Sequence, residues 1–177
     1  MTSVMNRTAE IKAAYRLLDC ESVTHAAVCQ SHCAKVREEC REAGTYLMIE
    51  DTTTLSFPSL KECFGLGPVG EDYTHGFFAH WTVAVRWSCS DTDAHEDEAR
   101  VLGLAQQQVW ARDPKASRRK ETRAQRRQRA GRESDRWAKI FEDSGGPGES
   151  GAQWIYVADR ESDIFELFSL ADELGTN

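Results

Sequence analysis

Two short apolar runs, each followed directly by acidic residues, constrain the fold of this 177-residue chain more than any other feature. The first run covers residues 46–49 and leads into Asp51, and the second covers residues 153–158 and leads into Asp159. Compact runs of this kind are typical of buried strands, and an α/β sheet commonly places its active site at the carboxyl ends of its strands. If the two strands are neighbours, the carboxylates of Asp51 and Asp159 meet.

The surrounding segments predict further strands and helices. Residues 76–87 are rich in aromatic and β-branched residues, and residues 100–110 form another strand-like run, so both are expected to build an antiparallel meander with the first strand. Residues 22–42 have the spacing of an amphipathic helix, as do a shorter helix before them and one after Asp159. The expected fold class is α/β: a mixed sheet, antiparallel meander then parallel strand, with an amino-terminal helical segment.

Glycine-rich and acidic segments are interpreted as connections. Residues 65–70 lack the Lys-Ser/Thr pair of a phosphate loop and contain a proline, so they predict a turn between strands. Residues 144–148 are expected to end a short helix that contains Trp137. The acidic residues within 91–98 predict a solvated hairpin loop, because the glycine and ligand spacing of a calcium loop are missing.

The composition is that of a globular protein. Apolar residues make up 40% of the chain and charged residues 29%, which argues against global disorder. No apolar run approaches the ~18 residues of a membrane span, and no secretory signal is recognisable at the amino terminus, so we expect a cytoplasmic protein with no membrane partner.

The net charge of −7 conceals a basic segment. Residues 112–136 contain eleven Lys or Arg and four Asp or Glu, which gives this window a charge of +7 and leaves −14 on the rest of the chain. The part from Lys115 to Arg129 has few apolar residues and is interpreted as a loop or a solvated helix. It is either a solvent-exposed surface segment without a binding role or a segment that contacts nucleic-acid phosphates.

The six cysteines are interpreted as reduced thiols, because no secretory signal accompanies them. Cys29, Cys33 and Cys40 share one helical face and are expected to be small buried side chains. The alternative left open is a zinc site that includes His25 or His32, although structural zinc sites more often contain a C-x2-C pair.

Two converging aspartates are suited to binding a hard divalent cation. Magnesium prefers carboxylate oxygens and retains positions for water and phosphate, so Asp51 and Asp159 predict a Mg²⁺ or Mn²⁺ site for phosphoryl transfer. The alternative is that each aspartate only caps the segment that follows it. Spacing alone does not decide between the two.

The residues around both aspartates resemble the first and second acidic motifs of the insertion-sequence-four family of DDE transposases, of the transposon-five-like kind. These motifs are Glu50-Asp51-Thr52-Thr53-Thr54-Leu55-Ser56 and Asp159-Arg160-Glu161-Ser162-Asp163-Ile164. Similar segments occur along nearly the whole chain: Lys12 to Leu18, Gly65 to Gly67, Ala79-His80-Trp81, Gln106 to Arg112 and Glu133 to Trp137.

The resemblance implies a ribonuclease-H-like catalytic domain over residues 45–177, incomplete at its carboxyl end. Residues 1–44 would then be a helical remnant of an amino-terminal DNA-binding domain. Asp51 and Asp159 match the two aspartates of the catalytic Asp-Asp-Glu triad, which holds magnesium or manganese during attack on a phosphodiester bond. Thr52 and Thr53 are expected to support the first carboxylate. The basic residues expected to contact DNA are Arg118, Arg119, Arg123, Arg126, Arg127 and Arg160.

The third acidic residue of the family lies in a Tyr-x2-Arg-x3-Glu-x6-Lys signature, which this sequence lacks. The expected function is therefore a truncated transposase: DNA strand nicking and transfer in the parent enzyme, and inactivity of this chain alone. The alternatives are a non-catalytic regulator that binds DNA or a transposase, and a remnant without function. The implied partners are the DNA of transposon ends and a second subunit, in a homodimer or in a heterodimer with a full-length transposase.

Overall fold

The fold is a mixed α/β sheet with two helices packed on one face, in a computed structural model that describes residues 8–60, 63–70, 74–88, 98–113, 122, 133–162 and 164–176. The helices in these ranges are α1 (Thr8–Leu18), α2 (His25–Glu39), α3 (Glu133–Ser144) and α4 (Phe165–Leu174). The strands are β1 (Gly44–Ser56), β2 (Gly67–Val69), β3 (Thr74–Ser88), β4 (Glu98–Trp110) and β5 (Ala152–Val157), and a 3₁₀ turn covers Arg160–Ser162.

Strand β1 occupies the centre of the sheet. It pairs antiparallel with β3 along almost its whole length and parallel with β5 from Gly44↔Ala152 to Ile49↔Val157. The far edge of β3 carries β4 and, next to the start of β3, the short β2. The prediction of an α/β fold with antiparallel strands and one parallel pair is confirmed.

The core lies between α2 and the sheet. Tyr46, Met48 and Trp154 are almost completely buried and pack with Val36 and Cys40 of the α2 segment. The indole Nε1 of Trp154 donates a hydrogen bond of 2.7 Å to the carbonyl oxygen of Cys40. Because this carbonyl belongs to the end of α2, the bond ties the helix terminus to the parallel edge of the sheet.

Helix α3 covers the same face of the sheet further along. The ring of Trp137 meets the His80 ring edge-on, with centroids 4.5 Å apart, and Phe141 packs on Tyr156 at 4.1 Å. On the opposite face, Ile49 is 40% exposed and Val157 is 43% exposed. Alternation along the strand therefore directs Ile49 and Asp51 of β1 towards solvent, between the buried Met48 and Glu50.

Three predicted elements have different limits in the structure. Strand β1 does not end near residue 49 but continues to Ser56, because the β-branched residues 52–54 extend its pairing with β3. The prediction of a turn over residues 65–70 was wrong in part, since Gly67–Val69 pairs with β3 as a strand. Helix α2 is shorter than residues 22–42, since the side chain of Thr24 accepts a hydrogen bond from the Ala27 amide and caps the helix there.

The five described cysteines are all unpaired thiols. Cys33 and Cys40 are buried, as the helical pattern predicted, whereas Cys29 is only half-buried. Cys89 and most of the acidic residues within 91–98 lie outside the described residues. None of the helices in the described ranges is long and apolar enough to cross a membrane.

Candidate metal centre

Asp51 and Asp159 follow the last pair of the parallel register of β1 and β5. The last parallel pair is Ile49↔Val157, and each aspartate follows two residues after its member of that pair. Neighbouring strands of a sheet lie about 4.8 Å apart. Asp51, within β1, and Asp159, just after β5, are named the two-aspartate site below.

Asp51 lies within β1 rather than at its end, which differs from the sequence expectation. The parallel pairing with β5 ends at Ile49, but the antiparallel pairing of β1 continues past Asp51↔Trp81. The Asp51 side chain is exposed, and no hydrogen bond or ion pair engages its carboxylate within the described part of the chain. Its oxygens are accessible to a cation from solvent.

Asp159 lies in the turn that follows β5. Its carbonyl oxygen accepts hydrogen bonds from the Ser162 hydroxyl at 2.7 Å and from the Ser162 amide at 3.1 Å. These bonds close the 3₁₀ turn Arg160–Ser162 directly after Asp159. The side chains of Asp159 and of its neighbour Arg160 are both exposed.

The two threonines that were expected to support Asp51, Thr52 and Thr53, lie on opposite faces of β1. Thr53 is two residues from Asp51 and shares its face of the strand. Thr52 lies on the opposite face, where its Oγ1 is 2.9 Å from Nδ1 of His80. Thr52 therefore contacts the histidine under α3, and any effect on Asp51 is transmitted through the backbone.

A buried polar cluster lies directly behind Asp51 and consists of Glu50, Thr52, His80 and Thr82. Thr82 Oγ1 donates a hydrogen bond of 2.9 Å to Glu50 Oε1, and His80 Nε2 lies 4.0 Å from the same oxygen. Glu50 is 5% exposed, and His80 and Thr82 are completely buried. The pKa of Tyr156 is raised above its ordinary value, mainly by burial and secondly by the negative charge of Glu50. The Tyr156 phenol therefore lies close enough to the cluster to be affected by Glu50.

The cluster holds the backbone on both sides of Asp51. Glu50 and Thr52 are the two sequence neighbours of Asp51, and each is hydrogen-bonded to the β3 residue directly opposite it in register. Side-chain bonds of this kind add to the ladder of main-chain bonds between β1 and β3. The exposed Asp51 therefore lies on a stretch of β1 whose buried face is held by side-chain hydrogen bonds to β3.

Sequence reasoning did not identify this cluster. His80 and Thr82 lie on β3 among residues that favour strands, and nothing in their spacing distinguishes them from other polar strand residues. One signal was present: Glu50 interrupts an alternation in which Tyr46 and Met48 point inward, so an inward-facing carboxylate could have been expected. Its partners depend on the pairing of β1 with β3.

The two-aspartate site consists of two exposed carboxylates. The described residues contain no group of three or more His, Cys, Asp and Glu side chains arranged to hold a metal ion. Asp51 and Asp159 could supply oxygen ligands to a hard cation, and water or phosphate oxygens would complete its coordination. Such a cation would polarise a phosphodiester and stabilise the charge that develops on its oxygens.

The five basic residues expected from the segment at 112–136 lie outside the described residues. They are Arg118, Arg119, Arg123, Arg126 and Arg127.

Neither a protein-family model nor a curated protein matches the chain.

Proposed function

We propose that Asp51 and Asp159 bind Mg²⁺ or Mn²⁺ together and that the chain is the two-aspartate part of a DDE-type transposase with a ribonuclease-H-like sheet. The observation that carries the proposal is the parallel register of β1 and β5, in which both aspartates follow Ile49↔Val157 by two residues. The order of pairing, an antiparallel meander joined by one parallel strand, also fits that fold.

The chemistry proposed for the complete enzyme is nicking and transfer of a DNA strand. Water or a DNA 3′-hydroxyl attacks a phosphodiester, and the cation held by the carboxylates neutralises charge at the reacting phosphate. The protein contributes position and electrostatics rather than a covalent nucleophile. The buried polar cluster behind Asp51 supports this role, since it fixes the backbone that carries the carboxylate and so reduces the freedom that is lost when a cation binds.

Manganese binding tests the shared site. Titration of the chain with Mn²⁺, followed by the electron paramagnetic resonance signal of the free ion, should show one site. Asp51→Asn and Asp159→Asn should each weaken it at least tenfold, because each removes one of two charged ligands. The matched control is Asp172→Asn, which changes an exposed aspartate of α4 and should leave the affinity unchanged. Unchanged binding in either site variant would contradict a shared cation.

DNA cleavage tests the role of the chain by itself. Incubation with supercoiled plasmid and Mg²⁺ or Mn²⁺ should give no efficient nicking, because the sequence lacks the Tyr-x2-Arg-x3-Glu-x6-Lys signature that carries the third acidic residue of the family. Robust nicking that is lost in Asp51→Ala would overturn this expectation and show that two aspartates suffice. Folding of each variant is checked by circular dichroism.

A non-catalytic DNA-binding role is the second candidate, and the charge of +7 within residues 112–136 favours it. Replacement of Arg118, Arg119, Arg126 and Arg127 by alanine should reduce the slope of log affinity against log salt by up to about 3.6, at about 0.9 per lost phosphate contact. The exposed Arg100 lies on β4, and Arg100→Ala is the control. The absence of DNA retention at low salt would exclude this role.

A further inference from the structure

Three side-chain atoms that can act as metal ligands converge where the first turns of α2 face β4. Nε2 of His25 lies 2.9 Å from Oε1 of Gln107, and Sγ of Cys29 lies 3.1 Å from the same oxygen. The thiol and the imidazole are 3.6 Å apart. A nitrogen, a sulfur and an oxygen thus form a small triangle that joins a helix to a strand 78 residues further along the chain.

The local structure explains why the three atoms meet. His25 and Cys29 are four residues apart on α2 and therefore share one face of the helix. Gln107 is presented by β4, against which α2 packs. His25 is exposed and Cys29 is half-buried, so a solute ion can reach the triangle from solvent.

The size of the triangle suits a tetrahedral cation. A point in the plane of these atoms lies about 1.9 Å from each of them, and a small step out of the plane reaches the ~2.0–2.3 Å of zinc bonds to nitrogen, oxygen and sulfur. Three protein ligands would form one face of a tetrahedron. The fourth position would face solvent and hold water.

The present contacts are hydrogen bonds that a cation would replace. The Cys29 thiol donates to the Gln107 oxygen, and the His25 nitrogen also lies within hydrogen-bond distance of it. On metal binding, Cys29 would release its proton to solvent and His25 would carry its remaining ring proton on Nδ1. The amide oxygen of Gln107 would keep its position and become a ligand.

The neighbouring histidine and cysteine of α2 are not available as metal ligands, because one is already hydrogen-bonded and the other is buried. Nε2 of His32 accepts a hydrogen bond of 3.2 Å from the Leu104 amide, which leaves no lone pair on that atom for a metal. Cys33 is 4% exposed and belongs to the core face. The sequence left both His25 and His32 open as ligands of a zinc site. In the structure, Nε2 of His25 lies beside the Cys29 thiol.

We propose that His25, Cys29 and Gln107 form a binding site for Zn²⁺, or for a similar divalent cation that accepts thiolate and imidazole ligands, and that the bound ion links α2 to β4. The thiolate and imidazole distinguish this site from the oxygen ligands of the two-aspartate site. The proposal is independent of the proposed function.

Cobalt serves as the spectroscopic probe, because Co²⁺ bound to a thiolate gives a charge-transfer absorption. The chain titrated with Co²⁺ should show this band at one equivalent, and Zn²⁺ should displace it. Cys29→Ser and His25→Ala should each weaken Zn²⁺ binding at least tenfold. Gln107→Ala should weaken it as well, whereas Gln107→Glu should restore or exceed the original affinity because a carboxylate is the stronger ligand.

The control is Cys63→Ser, which removes an exposed thiol elsewhere and should leave the band unchanged. Zinc should also slow the alkylation of Cys29 by iodoacetamide at least tenfold in the unmodified chain, a measurement that needs no variant to fold. The absence of a band in the unmodified chain, an equal band in Cys29→Ser, or equal alkylation of Cys29 with and without zinc would each overturn the proposal.

Discussion

The hydrogen bond between Thr82 and Glu50 should be one of the larger single contributions to stability in this protein. Thr82→Val keeps the shape of the side chain but removes the hydroxyl that donates to Glu50 at 2.9 Å. A hydrogen bond to a charged group contributes about 1.5–3 kcal/mol. His80 Nε2, at 4.0 Å from the same oxygen, is too far away to replace it. We expect a loss of about 2 kcal/mol.

Urea unfolding followed by tryptophan fluorescence and circular dichroism measures this loss. Thermal unfolding gives a second measurement. In a domain of this size, 1 kcal/mol lowers Tm by about 2–4 °C, so Thr82→Val should lower Tm by about 4–8 °C. Thr54→Val is the matched control, because Thr54 is an exposed threonine of β1 and its replacement should change stability by less than about 0.5 kcal/mol. Both substitutions introduce valine into a strand, so the change in strand propensity cancels in the comparison.

A double-mutant cycle isolates the pair. Thr82→Val, Glu50→Gln and the double variant should give a coupling energy of about 1 kcal/mol or more, because the residues are in direct contact. A cost of Thr82→Val no larger than that of Thr54→Val, or additive effects of the two substitutions at the pair, would show that the Thr82–Glu50 hydrogen bond does not stabilise the protein.

Three further outcomes are expected. Trp154→Phe should cost about 2–4 kcal/mol in urea unfolding, because it leaves a cavity and removes the 2.7 Å hydrogen bond to the Cys40 carbonyl; an unchanged midpoint would contradict this. Gly67→Ala should lower the free energy of unfolding by about 1–3 kcal/mol, because a Cβ there would lie 2.0 Å from the Arg112 carbonyl oxygen; full stability would show that β2 moves away without cost. Burial raises the pKa of Cys40 to about 12 from 9.0, so the unfolded chain loses this proton first and stability should fall as the pH rises above 9; a flat free energy of unfolding in alkaline buffers would refute it.

The prediction of the elements from sequence succeeded where a local pattern was strong. The apolar run at 46–49 and the run at 153–158 are both strands, and Gly175 ends α4 in the left-handed conformation that favours glycine. Boundaries were less accurate, since β1 extends to Ser56 through pairing with β3. A strand ends where its partners end, and the partners are not part of the local pattern.

The contacts between distant elements depended on the tertiary structure. The sequence predicted Asp51 and Asp159 after two strands, but that these strands, β1 and β5, pair in parallel up to Ile49↔Val157 depended on the tertiary structure. The same holds for Glu50 and Thr82, which meet across β1 and β3.

Periodicity and composition determined which segments of this chain become helices and strands, because backbone propensity and the alternation of apolar residues act over a few neighbouring residues. They also singled out Asp51 and Asp159, of which Asp159 follows its strand whereas Asp51 lies within β1. The tertiary structure alone decided that His25 and Cys29 face Gln107. The physical reason is that such contacts arise when separate elements bury their apolar faces against one another, and no local spacing specifies which elements will meet.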